Sequence, residues 1–195
     1  MSGAKLISPL LDRFAIGDAI SEHNGVRCYP AMREDSDEKY IVKVVSIPAS
    51  QVQLDALLLT GAYRDKASAL AYFRELADSV EQEAEVLQKL SKLEGFISYD
   101  AWQVVPMDDG VGFEVYLLGT YKRSLERYMS RNPMTHLGAI NLGLDLCSAL
   151  AVCRRAGCLY VDLKPSNIFI SENQSYHIGD LGIVPTSSLR FASQR

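Results

Sequence analysis

Histidine and cysteine are scarce in this sequence of 195 residues. Its three histidines (His23, His136 and His177) are widely scattered, and its four cysteines form no C-x-x-C pair. Zinc sites depend on closely spaced ligands of these types, so the sequence gives no indication of one. Cys147 and Cys153 lie in an apolar helical pattern, which predicts buried thiols. Unpaired thiols favour a reducing compartment, and we expect a cytoplasmic location.

Strong charge of one sign and long hydrophobic runs are also lacking. The chain has 20 Lys+Arg against 24 Asp+Glu, a net charge of -4, which argues against nucleic-acid binding by bulk charge. The most apolar stretch, 139–152, is short for a membrane span and contains Asn141 and Asp145, so we expect no membrane segment. The N-terminus lacks the apolar core of a signal peptide. Hydrophobic (48%) and charged (23%) contents exclude a disordered chain.

Apolar periodicity and turn residues predict a β-rich first part followed by a long helix. The expected elements are strands 14–18, 26–32 and 39–46, helices 50–59 and 67–92, strands 101–106 and 112–118, helices 124–131 and 136–156, and strands 168–170 and 176–179. This order predicts an α+β protein of two lobes, divided at about 120–124.

Two charged residues occupy positions that predict burial. Lys43 lies within the β-branched run K-Y-I-V-K-V-V-S, in which both faces of the strand are apolar. Glu83 lies three residues after Val80 and four before Leu87, on the apolar stripe of the long helix. Pairing the two would offset the cost of burying either charge. The alternatives are an edge-strand lysine that reaches water and a solvated glutamate.

A short loop carries a dense set of polar side chains. Residues 160–167 read Y-V-D-L-K-P-S-N, and D-L-G follows at 180–182. A hairpin between the two segments would bring Asn167 and Asp180 side by side, and their oxygens suit Mg²⁺. Asp162 could then accept a hydroxyl proton, and Lys164 could steady a transferring phosphoryl group.

These segments resemble eukaryotic-type serine/threonine protein kinases, of the kind found also in bacteria. The family's H-R-D-x-K-P-x-N loop corresponds to 160–167 and its D-F-G to 180–182. Its strand-3 lysine corresponds to Lys43, and its helix-C pattern E-x-x-ψ-L begins at Glu83. The four elements occur in the family's order, and the resemblance covers about 14 to 190.

The resemblance implies a two-lobed protein-kinase-like α+β fold. The first lobe, 1–120, would be complete, with a β-rich sheet, helix C and an extra helix at about 50–66 before it. The second lobe, 121–195, would be partial, with helices D and E, the catalytic loop, D-L-G and the start of the activation segment. Only thirteen residues follow Gly182, so we expect a chain that ends within the activation segment and is inactive alone.

The resemblance also implies ATP as the nucleotide. Lys43 would hold its α- and β-phosphates, and Glu83 would orient Lys43. Gly17 and Gly25 are the candidates for the glycine-rich phosphate loop, which here also contains the negative residues Asp18 and Glu22. That loop matches the family's G-x-G-x-x-G poorly.

The catalytic roles follow in the same way. Asp162 would be the catalytic base, with Lys164 beside the transferred group, and Asn167 and Asp180 would bind Mg²⁺. A lysine two residues after the base is similar to the serine/threonine subclass. The family's H-R pair is Tyr160-Val161 here, and valine cannot hold a phosphate on the activation loop.

Three readings of function remain open. The first is an active kinase that phosphorylates a hydroxyl of a protein substrate. The second is a pseudokinase, a nucleotide-binding or empty scaffold that acts through interactions, favoured by the poor glycine loop and the missing H-R pair. The third, a small-molecule kinase of the same fold, fits Lys164-Pro165 less well. The apolar helix 136–156 would lack its usual cover, so we also expect self-association through the second lobe.

Overall fold

A computed structural model describes residues 7–61, 63, 65–108, 110 and 112–186. The chain divides into two compact units. The first comprises the chain up to Gln82 together with Tyr99–Tyr121, and the second comprises Glu83–Ser98 and the chain from Lys122 onward. The predicted first lobe therefore differs from the first unit, because 83–98 are grouped with the second. The later part of the predicted activation segment lies outside the described residues.

An antiparallel sheet of six strands forms the first unit. Its strands are β1 (Phe14–Ile16), β2 (Ser21–His23), β3 (Val26–Arg33), β4 (Lys39–Ile47), β5 (Ala101–Pro106) and β6 (Phe113–Thr120). They lie in the order β1-β3-β4-β6-β5, and β2 pairs with the first part of β3. The predicted strands are confirmed within a residue or two at each end, whereas β2 was not predicted.

Strand β4 lies inside this sheet, between β3 and β6. Tyr40, Val42 and Val44 are buried on one face, in a core that also contains Leu11, Tyr29 and Tyr116. Burial of each such side chain contributes about 1.5–3 kcal/mol. Alternate residues of a strand face opposite sides, so Lys43 and its neighbours on that face are half-buried.

Two helices follow β4 in the chain. Helix α1 (Gln51–Leu59) begins after Ser50, whose side chain accepts a hydrogen bond from the Gln53 N–H. The extra helix expected at about 50–66 therefore ends at Leu59.

Helix α2 (Lys66–Leu90) contributes to both units. Its first part buries Phe73 in the first unit, and its last part buries Leu87 and Leu90 in the second. The predicted apolar stripe is confirmed at these residues, and Glu83 lies half-buried along it.

Short strands and two helices make up most of the second unit. They are β7 (Arg123–Ser124), α3 (Leu125–Met129), α4 (His136–Arg155), β8 (Cys158–Tyr160), β9 (Ile168–Ile170), β10 (Tyr176–Ile178) and β11 (Ile183–Pro185). One small sheet has the order β10-β9-β7, and β8 pairs with β11 in another. The β9–β10 hairpin is confirmed, whereas β7, β8 and β11 were not predicted.

Helix α4 has one packed face and one exposed face. Leu142 and Leu146 pack against the small core of the second unit. Three large apolar residues on the other side are mostly exposed, namely Leu137 (67%), Ile140 (59%) and Leu144 (62%). The prediction of buried thiols holds for Cys153 and is wrong for Cys147, which is exposed. An apolar pattern around a whole helix does not reveal which side is covered.

Among the described residues, α4 is the one helix long and apolar enough to cross a membrane by length and composition. It has 20 residues, so the apolar stretch 139–152, predicted to be too short for a span, is part of a longer helix. Asp145, in the middle of α4, accepts the backbone N–H of Tyr176 at 2.8 Å and ties the helix to β10. One such helix is weak evidence for a membrane span.

Candidate active site

The loop after β8 brings three predicted site residues together. Lys164 Nζ lies 2.7 Å from Asp162 Oδ2. The side-chain amide of Asn167 donates to the same oxygen at 2.9 Å and to the Asp162 carbonyl at 3.0 Å. Asn167 is only 4% exposed, whereas the side chains of Asp162 and Lys164 are about half exposed. A buried amide therefore anchors a carboxylate that remains open to solvent.

A single turn of 3-10 helix, Pro165–Asn167, produces this arrangement. Proline suits the first position of the turn because it has a fixed φ and needs no N–H partner there. The Asn167 N–H donates to the Lys164 carbonyl at 2.9 Å, which closes the turn. The chain thereby folds back so that Asn167 lies against Asp162.

Asp162 and Lys164 form an ion pair. The hydrogen bond with Asp162 raises the pKa of Lys164 above its ordinary value, so the ammonium group persists across the physiological range. The Asp162 carboxylate in turn accepts from an ammonium and from an amide, and donors of this kind hold a carboxylate in one orientation. Asp162 is thus an oriented, accessible proton acceptor with a cation beside it.

Asp180 follows directly after the β9–β10 hairpin. The Gly179 N–H donates to the Asn167 carbonyl at 3.0 Å, which joins the chain before Asp180 to the loop. Asp180 has a φ of 68°, and its Oδ1 accepts the Leu181 N–H at 2.7 Å. The predicted hairpin therefore brings the segments of Asn167 and Asp180 together at the backbone.

The donor set of Asn167 and Asp180 fits Mg²⁺. The Asn167 amide nitrogen donates to Asp162, so the amide oxygen of Asn167 is the atom that could bind a metal ion. Asp180 adds a carboxylate, and Mg²⁺ usually takes one or two such groups plus water and phosphate oxygens. Among the described residues, no group of three or more His, Cys, Asp or Glu side chains is arranged to hold a metal ion. A dedicated all-protein cage is therefore not what these residues provide.

Two side chains that flank Asp180 were not assigned these contacts from the sequence. Glu83 Oε2 accepts the Gly182 N–H at 2.8 Å and the Ile183 N–H at 3.3 Å. The Tyr160 hydroxyl donates to the Gly179 carbonyl at 2.6 Å. Burial raises the pKa of Tyr160 well above its usual value, so the hydroxyl stays a donor. The tyrosine in place of the family's histidine was the one signal in the sequence.

Lys43 lies in the first unit, opposite Cys28 on β3 and Leu117 on β6. The alternative of an edge-strand lysine is therefore wrong, because β4 has a neighbour on each side. The pairing of Lys43 with Glu83 joins the two units and stays a prediction.

The two candidate glycines of the phosphate loop both have structural reasons to be glycine. The Gly17 N–H donates to the Pro30 carbonyl at 2.9 Å, and an added Cβ would come within 2.9 Å of the Pro30 ring. Gly25 has a φ of 75° in the tight turn between β2 and β3, where an added Cβ would lie 2.6 Å from Ala49. Their contact with phosphate stays a prediction.

Comparison with known proteins identifies the family. A family profile described as "Protein kinase domain" matches residues 62–190, more than half of the chain. The chain belongs to the protein kinase family. The matched range of this kinase contains the loop with Asp162 and Asn167, as well as Glu83 and Asp180. Lys43 lies before it, so the assignment of Lys43 rests on the sequence pattern and its interior strand.

Two known proteins illustrate how far the likeness extends. The mitogen-activated protein kinase hog1 of Blastobotrys adeninivorans is 32% identical over 108 residues, which cover 55% of this kinase chain and 26% of the relative. A solved structure, "Crystal structure of Rad53 1-466 in complex with AMP-PNP", superposes with a TM-score of 0.60 at 17% identity. That match covers 90% of this chain and 40% of the other. It confirms the predicted protein-kinase-like fold, and the kinase chain spans about a quarter of its curated relative.

Proposed function

We propose that this chain carries the ATP-binding and phosphoryl-transfer centre of a serine/threonine protein kinase. One observation carries the proposal: within one loop of a protein kinase domain, the Asp162 carboxylate accepts hydrogen bonds from Lys164 Nζ and Asn167 Nδ2. A half-exposed, oriented carboxylate is what proton removal from an incoming hydroxyl requires. The Rad53 structure with a similar fold is described as a complex with AMP-PNP, which supports a nucleotide as ligand.

The residues of the second unit have different roles in this proposal. Asp162 accepts the proton of the attacking hydroxyl as that oxygen bonds to phosphorus. Lys164 places a positive charge beside the transferred group, where negative charge is greatest. Asn167 and Asp180 supply oxygen ligands for Mg²⁺, which neutralises the phosphates when it is bound with ATP. Lysine at 164 favours serine or threonine over tyrosine as the acceptor.

The first unit completes the nucleotide site in this proposal. Lys43 would bind the α- and β-phosphates of ATP, and Glu83 would pair with it in the active arrangement. The functional lobes would be 1–120 and 121–195. The acceptor would be a hydroxyl of a protein substrate.

A specific observation favours a pseudokinase as the second candidate. The Gly17 N–H donates to the Pro30 carbonyl, so this N–H is not available to donate a hydrogen bond to a phosphate oxygen. Glycine-rich loops hold phosphates through such N–H groups. Val161 also replaces the arginine by which the family docks a phosphorylated activation loop. A chain with these features could bind nucleotide and act as a scaffold.

Thermal unfolding with ATP, with Mg²⁺ and with both tests nucleotide binding. At one hundred times its dissociation constant, Mg-ATP should stabilise the fold by about 2.7 kcal/mol, and ATP without Mg²⁺ should stabilise it less. A midpoint unaffected by Mg-ATP would refute the kinase and the nucleotide-binding scaffold, and would leave a scaffold that binds no nucleotide. Transfer of labelled γ-phosphate from ATP to a protein substrate, assayed with the full-length protein, then distinguishes the kinase from the pseudokinase. A kinase loses transfer and keeps binding in Asp162→Asn, whereas a pseudokinase shows no transfer in the parent protein.

A further inference from the structure

A groove of about 720 Å³ lies beside the last turns of α4, within the second unit. One wall is a face of the helix, on which residues three and four positions apart lie side by side. The other wall is the turn that follows α2. The main lining residues are Leu93 and Glu94 from the turn and Ser148, Ala151, Val152 and Arg155 from the helix.

The turn that forms one wall lies close against α4. An added Cβ on Gly95 would come within 3.0 Å of the Ala149 Cβ, so the backbone of the turn packs on the helix. The Leu93 side of the turn nevertheless faces solvent, since this residue is 52% exposed. Among the described residues, Glu94 and Arg155 form no ion pair. The groove therefore combines an apolar lining with two charges that still lack a partner of opposite sign in the described part of the chain.

The chain itself passes one end of this groove. The Thr186 N–H and the Thr186 hydroxyl both donate to the Gly157 carbonyl, each at 2.9 Å. Gly157 directly follows Ala156, which also lines the groove. The described part of the second unit ends at Thr186, so the next residues of the chain start beside the groove.

Residues 187–195 have a composition and a length that fit the groove. They read S-S-L-R-F-A-S-Q-R, with two large apolar side chains, two arginines and no acidic residue. At up to about 3.5 Å per residue, Phe191 reaches about 17 Å from Thr186. The groove extends over about 12 Å of α4, from Ser148 to Ala156, at about 1.5 Å per residue. The segment is therefore long enough to lie along the whole groove.

We propose that residues 187–195 dock in this groove of their own chain, with Leu189 and Phe191 on its apolar lining. These two side chains point to the same side of an extended segment, and Arg190 between them points to the other. Arg190 there meets the exposed carboxylate of Glu94. The docked segment holds the chain that follows D-L-G against α4, and this inference does not depend on the proposed phosphoryl transfer.

The second charge of the groove meets the start of the segment. Arg155 lies two residues before Gly157, the residue that Thr186 contacts. Ser187 and Ser188 follow Thr186, and their hydroxyl oxygens accept hydrogen bonds from a guanidinium group. Arg155 is thereby matched to hydroxyls, and the acidic residue of the groove is matched to the arginine of the segment.

Thiol accessibility in the chain of 195 residues tests the proposal. Ser148→Cys places a thiol in the groove, and Cys147→Ser in the same variant removes the neighbouring thiol. Further substitution of Phe191→Ser should let iodoacetamide alkylate the introduced thiol about tenfold faster, because burial of one aromatic side chain is worth at least that factor. Cys147 of the parent chain, which is exposed and does not line the groove, is the matched control. Equal rates with and without Phe191→Ser would overturn the proposal, as would equal acceleration of the control thiol.

Cross-linking identifies the occupant of the groove. Arg190→Lys introduces an amine that a carbodiimide should join to the Glu94 carboxylate, and mass spectrometry should find this link within one chain. Further substitution of Phe191→Ser should reduce its yield about tenfold. Glu172, in an exposed turn of the second unit, is the control carboxylate and should give little of this product. Equal yields at Glu94 and Glu172 would overturn the proposal, and a link found only between two chains would overturn it in favour of a second copy as the occupant.

Discussion

Asn167 donates its side-chain amide to two oxygens of Asp162, the carbonyl at 3.0 Å and Oδ2 at 2.9 Å. One buried amide therefore fixes both the backbone and the carboxylate of the proposed catalytic base. Its amide oxygen is at the same time the proposed Mg²⁺ ligand. The proton acceptor and the metal site are consequently held in register by a single side chain.

Asn167→Ala should damage stability and metal binding together. One such hydrogen bond contributes about 0.5–1.5 kcal/mol, so loss of the two should lower the free energy of unfolding by about 1–3 kcal/mol. Urea denaturation measures the loss of stability, and nucleotide titration with and without Mg²⁺ measures the loss of metal binding. Ser166→Ala is the control, because the Ser166 hydroxyl makes a long contact of 3.4 Å with the Asn167 amide oxygen. A fully stable Asn167→Ala would show that the anchor is dispensable.

Asp180→Ala should remove the Mg²⁺ dependence of nucleotide binding and leave the fold intact. Asp180 is the one carboxylate proposed as a direct ligand, and its Oδ1 accepts the N–H of Leu181. Calorimetric titration of ATP with increasing Mg²⁺ is the measurement. Glu172→Ala, at an exposed turn residue, should behave like the parent protein. An unchanged Mg²⁺ dependence in Asp180→Ala would show that another group holds the metal.

Lys43→Met should weaken ATP binding more than it harms stability. Methionine keeps the apolar stem of the side chain inside the sheet and removes the charge that the phosphates would meet. Loss of a charge-assisted hydrogen bond corresponds to roughly 10- to 100-fold in affinity. Lys39→Met, at the exposed start of the same strand, is the matched control. Equal ATP affinity in the parent and in Lys43→Met would refute the phosphate role and favour a pseudokinase with a structural lysine.

Stability should fall in mildly acidic solution because of His177. Burial is the main cause that lowers the pKa of His177 from its usual value near 6.5, with Asp145 opposing and Lys122 adding to the shift. Its Nδ1 is buried without a hydrogen-bond partner among the described residues, so protonation would place an uncompensated charge there. The folded pKa lies below the unfolded one, so the contribution is complete above about pH 6.5 and is lost as pH falls toward the folded value.

Urea denaturation of the parent protein at pH 7.5 and at pH 5.5 would measure this loss. His177→Gln removes the titrating group and should show a smaller difference between the two conditions. Equal pH dependence in the two proteins would assign the acid sensitivity to other residues.

The exposed face of α4 should mediate self-association. Leu137, Ile140 and Leu144 present adjacent apolar surface, and burying it against a second copy would remove it from water. Light scattering at roughly tens of micromolar, a range in which weak interfaces are populated, should show a mass above that of one chain. Leu144→Glu should return the mass to the monomer value. Leu59→Glu, at an exposed leucine of α1, should not, and a strictly monomeric parent protein would contradict the prediction.

The sequence predicted best what is decided locally. The run from Lys39 to Ile47 has the β-branched content of a buried strand, and the apolar spacing around Phe73 and Leu87 specifies a long helix with one buried side. The loop with Asp162 and Asn167 was recognised by its motif, Y-V-D-L-K-P-S-N, whose proline turn fixes its shape within a few residues. These features need no knowledge of what packs elsewhere.

Contacts between distant segments escaped prediction. Strand β8 pairs with β11, which lies more than twenty residues later, and strands of three residues are too short to show an alternating pattern. The hydrogen bonds from Gly182 and Ile183 to Glu83 join residues about one hundred positions apart. The buried thiol predicted at Cys147 was wrong for the same reason, since an all-round apolar helix gives no sign of which side is covered.

The left-handed backbone at position 180 separates what the fold needs from what chemistry needs. Glycine adopts that conformation without strain, and asparagine and aspartate tolerate it better than most residues do. Selection for stability alone would therefore favour glycine at 180, and a carboxylate would not be the first choice. Replacement by glycine should be almost neutral for thermal stability, because relief of strain offsets the lost hydrogen bond to Leu181. Tolerance of mutation measured by folding and tolerance measured by catalysis should thus diverge at this residue.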